Sequence, residues 1–227
     1  MNGILIVDKP SGITSYDVIR RLKKIIKPEK IGHAGTLDPI ATGVLVILLG
    51  KFTKMATDLL ADDKEYVFEA TFGVATDTQD SSGKVLSERP VDISKMQLRE
   101  AMEKFKGEIE QTPPMVSAVK HKGQPLYKLA RQGIEVKREP RKILIKEFEL
   151  INLDADKAVF KVVCSKGTYI RTLCHDLGEL LGCGAHMSQL RRTRSGKYTV
   201  GDSRTLDEIA MYAEQGKFRE VLSAVRV

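Results

Sequence analysis

Hydrophobic and polar positions follow two periods along the chain, and the switches between them mark out strands and helices. Ile4 to Val7 is a short apolar run followed by KPSG, which predicts a buried strand ending in a turn. Thr14 or Ser15 can then cap a helix in which Val18, Ile19, Leu22, Ile25 and Ile26 share one face. Val44 to Leu49 is a second buried strand, Met55 to Leu60 suggests a helix, and Tyr66, Phe68, Ala70 and Phe72 alternate with the period of a strand. Lys64 and Glu65 before it place Tyr66 at a sheet edge. Ser94 with Gln97 is a capping-box pattern, opening an amphipathic helix through Leu98, Ala101, Met102 and Phe105 with Gly107 as its stop.

Beyond Pro113 and Pro114, Met115 to Val119 is strand-like, and KHKGQPLYKLARQG joins a basic loop to a short helix ended by Gly133. Residues 142–151 and 157–164 are apolar, β-branched runs around a polar LDADK turn, which predicts a hairpin. SKGTYIRTLCHDLGELLG opens a helix that Gly182 closes, and Thr205 with Glu208 caps a last one. No repeat, low-complexity tract or linker interrupts this series. A chain of 227 residues with 42% hydrophobic content can bury a substantial core, and one mixed α/β domain is expected.

Charge narrows the class of partner. The formal net charge is +7, which favours an anionic partner such as nucleic acid. Arg20, Arg21, Lys23, Lys24 and Lys27 cover the remaining surface of the first helix, either as a solvated face or as an RNA contact. No apolar run approaches the roughly 20 residues that span a bilayer, and the start MNGILIVDKP lacks a basic region ahead of a cleavable apolar segment. A cytoplasmic protein without membrane association is expected. Cys164, Cys174 and Cys183 are odd in number and fit reduced thiols. Cys183 and His186 form one C-x-x-H with no second half, so no metal is expected.

The stretch GHAGTLDPIATGVL, residues 32–45, holds one carboxylate, Asp38, among glycines and small residues. Asp38 before Pro39 matches a helix N-cap with proline at the first helical position. Four residues from Ile40 to Gly43 are too few for a helix before the next apolar run. A turn at the edge of a strand fits better, and its small residues let a bulky partner approach the backbone and the acid closely.

These motifs resemble the TruB-type tRNA pseudouridine synthases. The resemblance runs in order through DKPSGITSYDV, GHAGTLDPIATGVL, KEYVFEATFGVATDTQDSSG, QTPPMVSAVKHKGQPLYKLARQG and CSKGTYIRTLCHDLGELLGCGAHMSQLRR, nearly the whole chain. It implies the pseudouridine synthase fold, a mixed, mainly antiparallel sheet flanked by helices with the active-site cleft across one face. It also implies isomerisation of uridine 55 in the T-loop of tRNA, with no cofactor. Asp38 matches the catalytic aspartate, Tyr66 the active-site tyrosine that stacks on the uracil, and Arg171 the arginine that pairs with the aspartate. His33 matches the histidine that occupies the stack vacated by the everted base. Tyr169 shapes the pocket in the family, and Lys9 and Leu190 match further pocket and RNA-facing positions. The basic segments KHKGQPLYK and LRRTRSGK would supply phosphate contacts. The implied partner is the tRNA T-stem-loop, bound by a monomer that needs no protein partner. Family members commonly carry a small C-terminal PUA domain, and this sequence stops where that domain would begin, so a chain short by nature or by truncation is expected.

Overall fold

The computed structural model describes residues 1–223; residues 224–227, which belong to the expected domain, lie outside the described residues. In chain order the strands are β1 (Gly3–Lys9), β2 (Ile31–Ala34), β3 (Thr42–Leu49), β4 (Lys64–Phe72), β5 (Val74–Thr76), β6 (Val85–Glu88), β7 (Gly107–Gln111), β8 (Lys120–His121) and β9 (Gln124–Pro125). They continue with β10 (Arg141–Asp154), β11 (Lys157–Cys164), β12 (Ala185–Ser195), β13 (Tyr198–Thr199) and β14 (Leu222–Ser223). The helices are α1 (Ser15–Ile26), α2 (Ala56–Ala61), α3 (Lys95–Glu103), α4 (Leu126–Ala130), α5 (Ile170–Leu180) and α6 (Leu206–Glu214). Helices and mainly antiparallel strands make this a mixed α/β protein, as expected. No helix among the described residues is long and apolar enough to cross a membrane.

The chain divides into two compact units, one formed by Met1–Val67 with the segment from Leu190 onward, the other by Phe68–Gln189. In the first unit β3 is the central strand. Strand β1 pairs antiparallel with it from Gly3↔Leu49 to Lys9↔Gly43, and β14 pairs with β1. The other edge of β3 is shared: β2 pairs antiparallel from Ile31↔Leu49 to Ala34↔Val46, whereas β12 pairs parallel at Arg191↔Thr42 and Arg192↔Gly43. The β2–β3 connection therefore leaves the sheet where β3 changes partner. Ile4, Ile6, Ala34, Val44, Val46, Leu48 and Tyr198 form one core layer, joined by Phe52, Ala56, Leu59 and Val200. Leu5, Val7, Leu45 and Ile47 are buried as well, so β1 and β3 are apolar on both faces. Helix α1 opens with a capping box between Thr14 and Asp17 and buries Val18, Ile19 and Leu22.

The second unit is built on the β10–β11 hairpin, which turns at Ala155 and Asp156, with β7 antiparallel to β10. The later part of β4 continues this sheet beside β11. Phe68, Phe148 and Phe160 meet with ring centroids 5.2–6.2 Å apart and hold the sheet's buried face. Helix α3 begins with the expected Ser94–Gln97 capping box.

Three local expectations are corrected. Met115–Val119 is a bend, because Pro113 and Pro114 offer no N–H to a ladder and the Ser117 carbonyl accepts from Tyr127 N at 3.0 Å. Helix α3 ends at Glu103, and Gly107 opens β7 instead of stopping the helix. Strand β4 is internal, with β12 and β11 as its neighbours, and Tyr66 is 9% exposed, so it does not sit on a free sheet edge.

Candidate active site

Asp38 lies in the turn between β2 and β3, outside any helix, and is half-buried. Its carbonyl accepts from Ala41 N at 3.1 Å, closing a tight turn over Pro39 and Ile40. The neighbouring segment 9–15 fastens this turn at several points. Gly12 N donates to Pro39 O at 2.9 Å, and Ser11 Oγ donates to Ile40 O at 3.0 Å. Ser15 Oγ accepts from Leu37 N at 2.9 Å and donates to Leu37 O at 3.2 Å. Lys9, fully buried at 0% exposure, donates from Nζ to Ile13 O at 2.6 Å, Pro10 O at 2.9 Å and Pro39 O at 3.2 Å. All three ammonium protons thus have carbonyl acceptors, which is how a buried lysine is tolerated. Burial pushes the Lys9 pKa down to about 8, while the negative charge of Asp38 works against that shift.

Arg192 fastens the other side of the turn. It is 1% exposed, and its Nε donates to Val44 O at 2.7 Å while Nη2 donates to Gly35 O at 2.9 Å. Those carbonyls flank the loop that carries Asp38, so one guanidinium ties the loop's entry to its exit. Gly43 makes the approach possible: its φ is +99°, and a Cβ there would fall 2.2 Å from Arg192 O.

His33 sits on β2 opposite Ile47, and its Nδ1 is buried without a hydrogen-bond partner among the described residues. Burial, followed by the positive charge of Arg192, holds the His33 pKa below its usual value and favours the neutral ring. Tyr66 lies on the buried side of β4. Leu190 is buried at the start of the β12 segment beside β3, where Thr42 Oγ1 donates to its carbonyl at 3.4 Å. Lys9, His33, Asp38, Tyr66 and Leu190 therefore all belong to the first unit.

Tyr169 and Arg171 belong to the second unit. Tyr169 precedes α5, and the buried Gln111 side chain fixes its backbone, accepting from Tyr169 N at 2.8 Å and donating to Tyr169 O at 3.1 Å. Arg171 is the second residue of α5 and 3% exposed. Its guanidinium donates to Thr78 O at 3.2 Å and Val116 O at 2.9 Å and lies 3.5 Å from the Asp80 carboxylate. Asp80 in turn accepts from Thr78 Oγ1 at 2.7 Å and Ser82 N at 3.0 Å, so the arginine gathers the 78–82 turn and the 115–117 bend.

One arginine of LRRTRSGK does not face outward as expected, while Arg191 and Arg194 remain partly exposed. Arg192 is inside the protein, and Arg191 pairs with Asp8 at 2.7 Å. Lys120, Lys122 and Lys128 of the KHKGQPLYK segment are exposed. Ser15 is expected from the sequence only as an alternative helix cap, and neither Gln111 nor the loop-tying role of Arg192 is expected at all. The one available signal for Ser15 is its place beside the cap residue Thr14. Among the described residues no group of three or more His, Cys, Asp or Glu side chains converges as a metal site requires.

A family model described as TruB family pseudouridylate synthase (N terminal domain) matches residues 23–170, and one described as tRNA pseudouridylate synthase B C-terminal domain matches residues 171–225. The chain is 48% identical over 221 residues to the tRNA pseudouridine synthase B of Psychromonas ingrahamii, covering 97% of this chain and 71% of the relative. It is 46% identical over 224 residues to that of Syntrophotalea carbinolica, covering 98% and 73%. Among solved structures, a Cbf5–Nop10–Gar1 complex contains a chain similar to this one, with a TM-score of 0.77 and 34% identity over 97% of this chain and 59% of that one.

Proposed function

The chain belongs to the TruB family of pseudouridylate synthases, and from that membership we propose that it isomerises uridine 55 to pseudouridine in the T-loop of tRNA, with Asp38 as its catalytic carboxylate. The reaction breaks the N1–C1′ glycosyl bond, turns the uracil over and joins C5 to C1′. The proton lost from C5 balances the one gained at N1, so no atom enters or leaves and no cofactor is needed. A single carboxylate beside the ribose either attacks C1′ or stabilises the cationic sugar while a proton leaves C2′. A glycoside hydrolase uses two carboxylates to deliver water. Here water must be kept out, because hydrolysis would leave an abasic nucleotide.

The observation that carries this reading is the Asp38 turn. It holds one acid, tied down from Lys9, Ser11, Gly12 and Ser15 on one side and from Arg192 on the other. Such a turn aims a carboxylate, and aim is what one-acid chemistry requires. Tyr66 and Arg171 are the other catalytic residues in this reading. His33 fills the stack left by the everted uridine, for which a neutral ring suffices, and Lys9, Tyr169 and Leu190 shape the pocket. Extruding the uridine costs a few kcal/mol, returned by contacts in the site. The protein works as a monomer in the cytoplasm without guide RNA or protein partners.

Site-mapped pseudouridine detection on a tRNA transcript, with purified protein alone, tests this. Wild type converts the T-loop uridine, and Asp38→Asn loses conversion while still binding RNA. Turnover by Asp38→Asn ends the assignment of Asp38. A wild type that converts uridine only when guide RNA and protein partners are added ends the stand-alone reading.

A further inference from the structure

The first helix offers a surface that the site just described does not use. With about 100° between successive residues, Tyr16, Arg20, Lys23, Lys24 and Lys27 fall on one side of α1, opposite the buried Val18, Ile19 and Leu22. All five are exposed, Tyr16 at 65%. Residues 15–30 hold six basic and two acidic side chains, a net +4 of the chain's +7. Among the described residues only Arg20 of this face is ion-paired, with Asp17.

The arrangement works against the helix itself. Arg20 with Lys23 and Lys24, and Lys27 with both of those lysines, are like-charge neighbours at i+3 or i+4, which destabilises a helix. Lys27 also takes the left-handed C-cap position, φ +42°, where glycine is the unstrained choice. Attraction to the helix's C-terminal carbonyls accounts for Lys23 and Lys24. Arg20 has its ion pair with Asp17, but neither effect accounts for the exposed Tyr16 or for the strain of a lysine at a glycine position.

The place of the stripe matters as much as its charge. The start of α1 is joined to the Asp38 turn through Ser15 and Leu37, so the 12-residue helix leads away from that turn over about 18 Å at ~1.5 Å per residue. We infer that the exposed face of α1 is a docking track for the sugar–phosphate backbone of the substrate RNA flanking the reacting nucleotide. This rests on the proposed function. Arg20, Lys23, Lys24 and Lys27 meet successive phosphates, and Tyr16, nearest the turn, offers a ring on which a base can stack.

The test compares R20Q/K23Q/K24Q/K27Q with a charge-matched control, K84Q/K95Q/R99Q/K104Q, whose residues are also exposed. Affinity for a T-stem-loop transcript is measured across a salt series. Four lost phosphate contacts should flatten the slope of log K against log salt by about 3 and weaken binding on the order of 10²–10³-fold at ~0.1 M salt. The control should change the slope by less than about 1. An unchanged slope in the α1 variant, or an equal change in the control, overturns the inference. Lysine acetylation of the wild type, read by mass spectrometry with and without the transcript, keeps the test independent of variant folding. Lys23, Lys24 and Lys27 become protected if the track is used, and equal labelling with and without RNA refutes it. Turnover of the same hairpin by wild type reports separately on the isomerase reading.

Discussion

Replacing Gly43 by alanine isolates the packing that holds the candidate catalytic turn. Gly43 has φ +99° and pairs with Lys9 of β1 on one side and Arg192 of β12 on the other. An added Cβ would lie 2.2 Å from Arg192 O and 3.0 Å from the same residue's N and C. Those are backbone atoms, so no rotamer change relieves the clash and β12 must move off β3. Gly12 supplies the reference: its φ is +84°, but a Cβ there meets nothing within 4 Å. Gly12→Ala should therefore show only the conformational penalty, about 1–2 kcal/mol. Gly43→Ala adds overpacking of about 1–3 kcal/mol, giving ~2–5 kcal/mol in all. For a chain of this size that is a fall in Tm of roughly 4–20 °C. Urea unfolding of both variants beside wild type, compared at equal m, gives the difference directly. Shifting β12 also draws Arg192 away from Gly35 and Val44, so conversion by the folded fraction should drop as well. If Gly43→Ala lies within ~0.5 kcal/mol of Gly12→Ala, the close β3–β12 approach is wrong, and with it the account of how the loop is closed.

Two further predictions probe the buried cations. Arg192→Gln loses two charge-assisted bonds, each worth about 1.5–3 kcal/mol, partly offset by no longer burying a charge. A net loss of ~2–4 kcal/mol is expected in denaturant titrations. Arg192→Lys keeps the charge but cannot span both carbonyls, so it should be intermediate, with kcat lowered more than KM is raised. Wild-type single-turnover rates in Arg192→Gln would show that the clamp plays no part in aiming the acid. Lys9, with a pKa of about 8, is a cation below that pH and loses its charge as pH rises through it. An unfolded lysine keeps its proton to about 10.4, so between the two values the unfolded chain binds more protons and relative stability rises with pH. Activity runs the other way, because Asp38 loses its neighbouring positive charge. The pH–rate profile should show an alkaline limb near 8 that Lys9→Met abolishes, and a limb unchanged in that variant would assign it elsewhere.

Elements set by local patterns were legible in the sequence, and those set by distant partners were not. Thr14, Ser94 and Thr205 each cap a helix through the side chain three positions on, a relation contained within four residues. The apolar Val44–Leu49 run and the short span after Pro39 likewise sufficed to reject a helix at Asp38. Met115–Val119 has strand-forming residues, yet its backbone bonds go to residues near 126 that no local pattern reveals. Tyr66 departs from the expected sheet edge for the same reason, since the neighbours of its strand, β11 and β12, lie far along the chain.

Arg192 shows why the site was only partly readable. An arginine in LRRTR reads as surface charge, because a buried guanidinium is expensive unless its donors are satisfied. The carbonyls that satisfy it belong to residues 148 and 157 positions away, and they are free to receive it only because β3 exchanges β2 for β12 at that point. Lys9 is similar in kind: its acceptors include Pro39, 30 positions on. The candidate acid can be found from its small, glycine-rich surroundings, whereas the groups that tie down its loop are cations buried by topology. Substitutions at Lys9 and Arg192 should thus disturb the chemical step more than RNA binding, whereas substitutions on the exposed face of α1 should do the reverse.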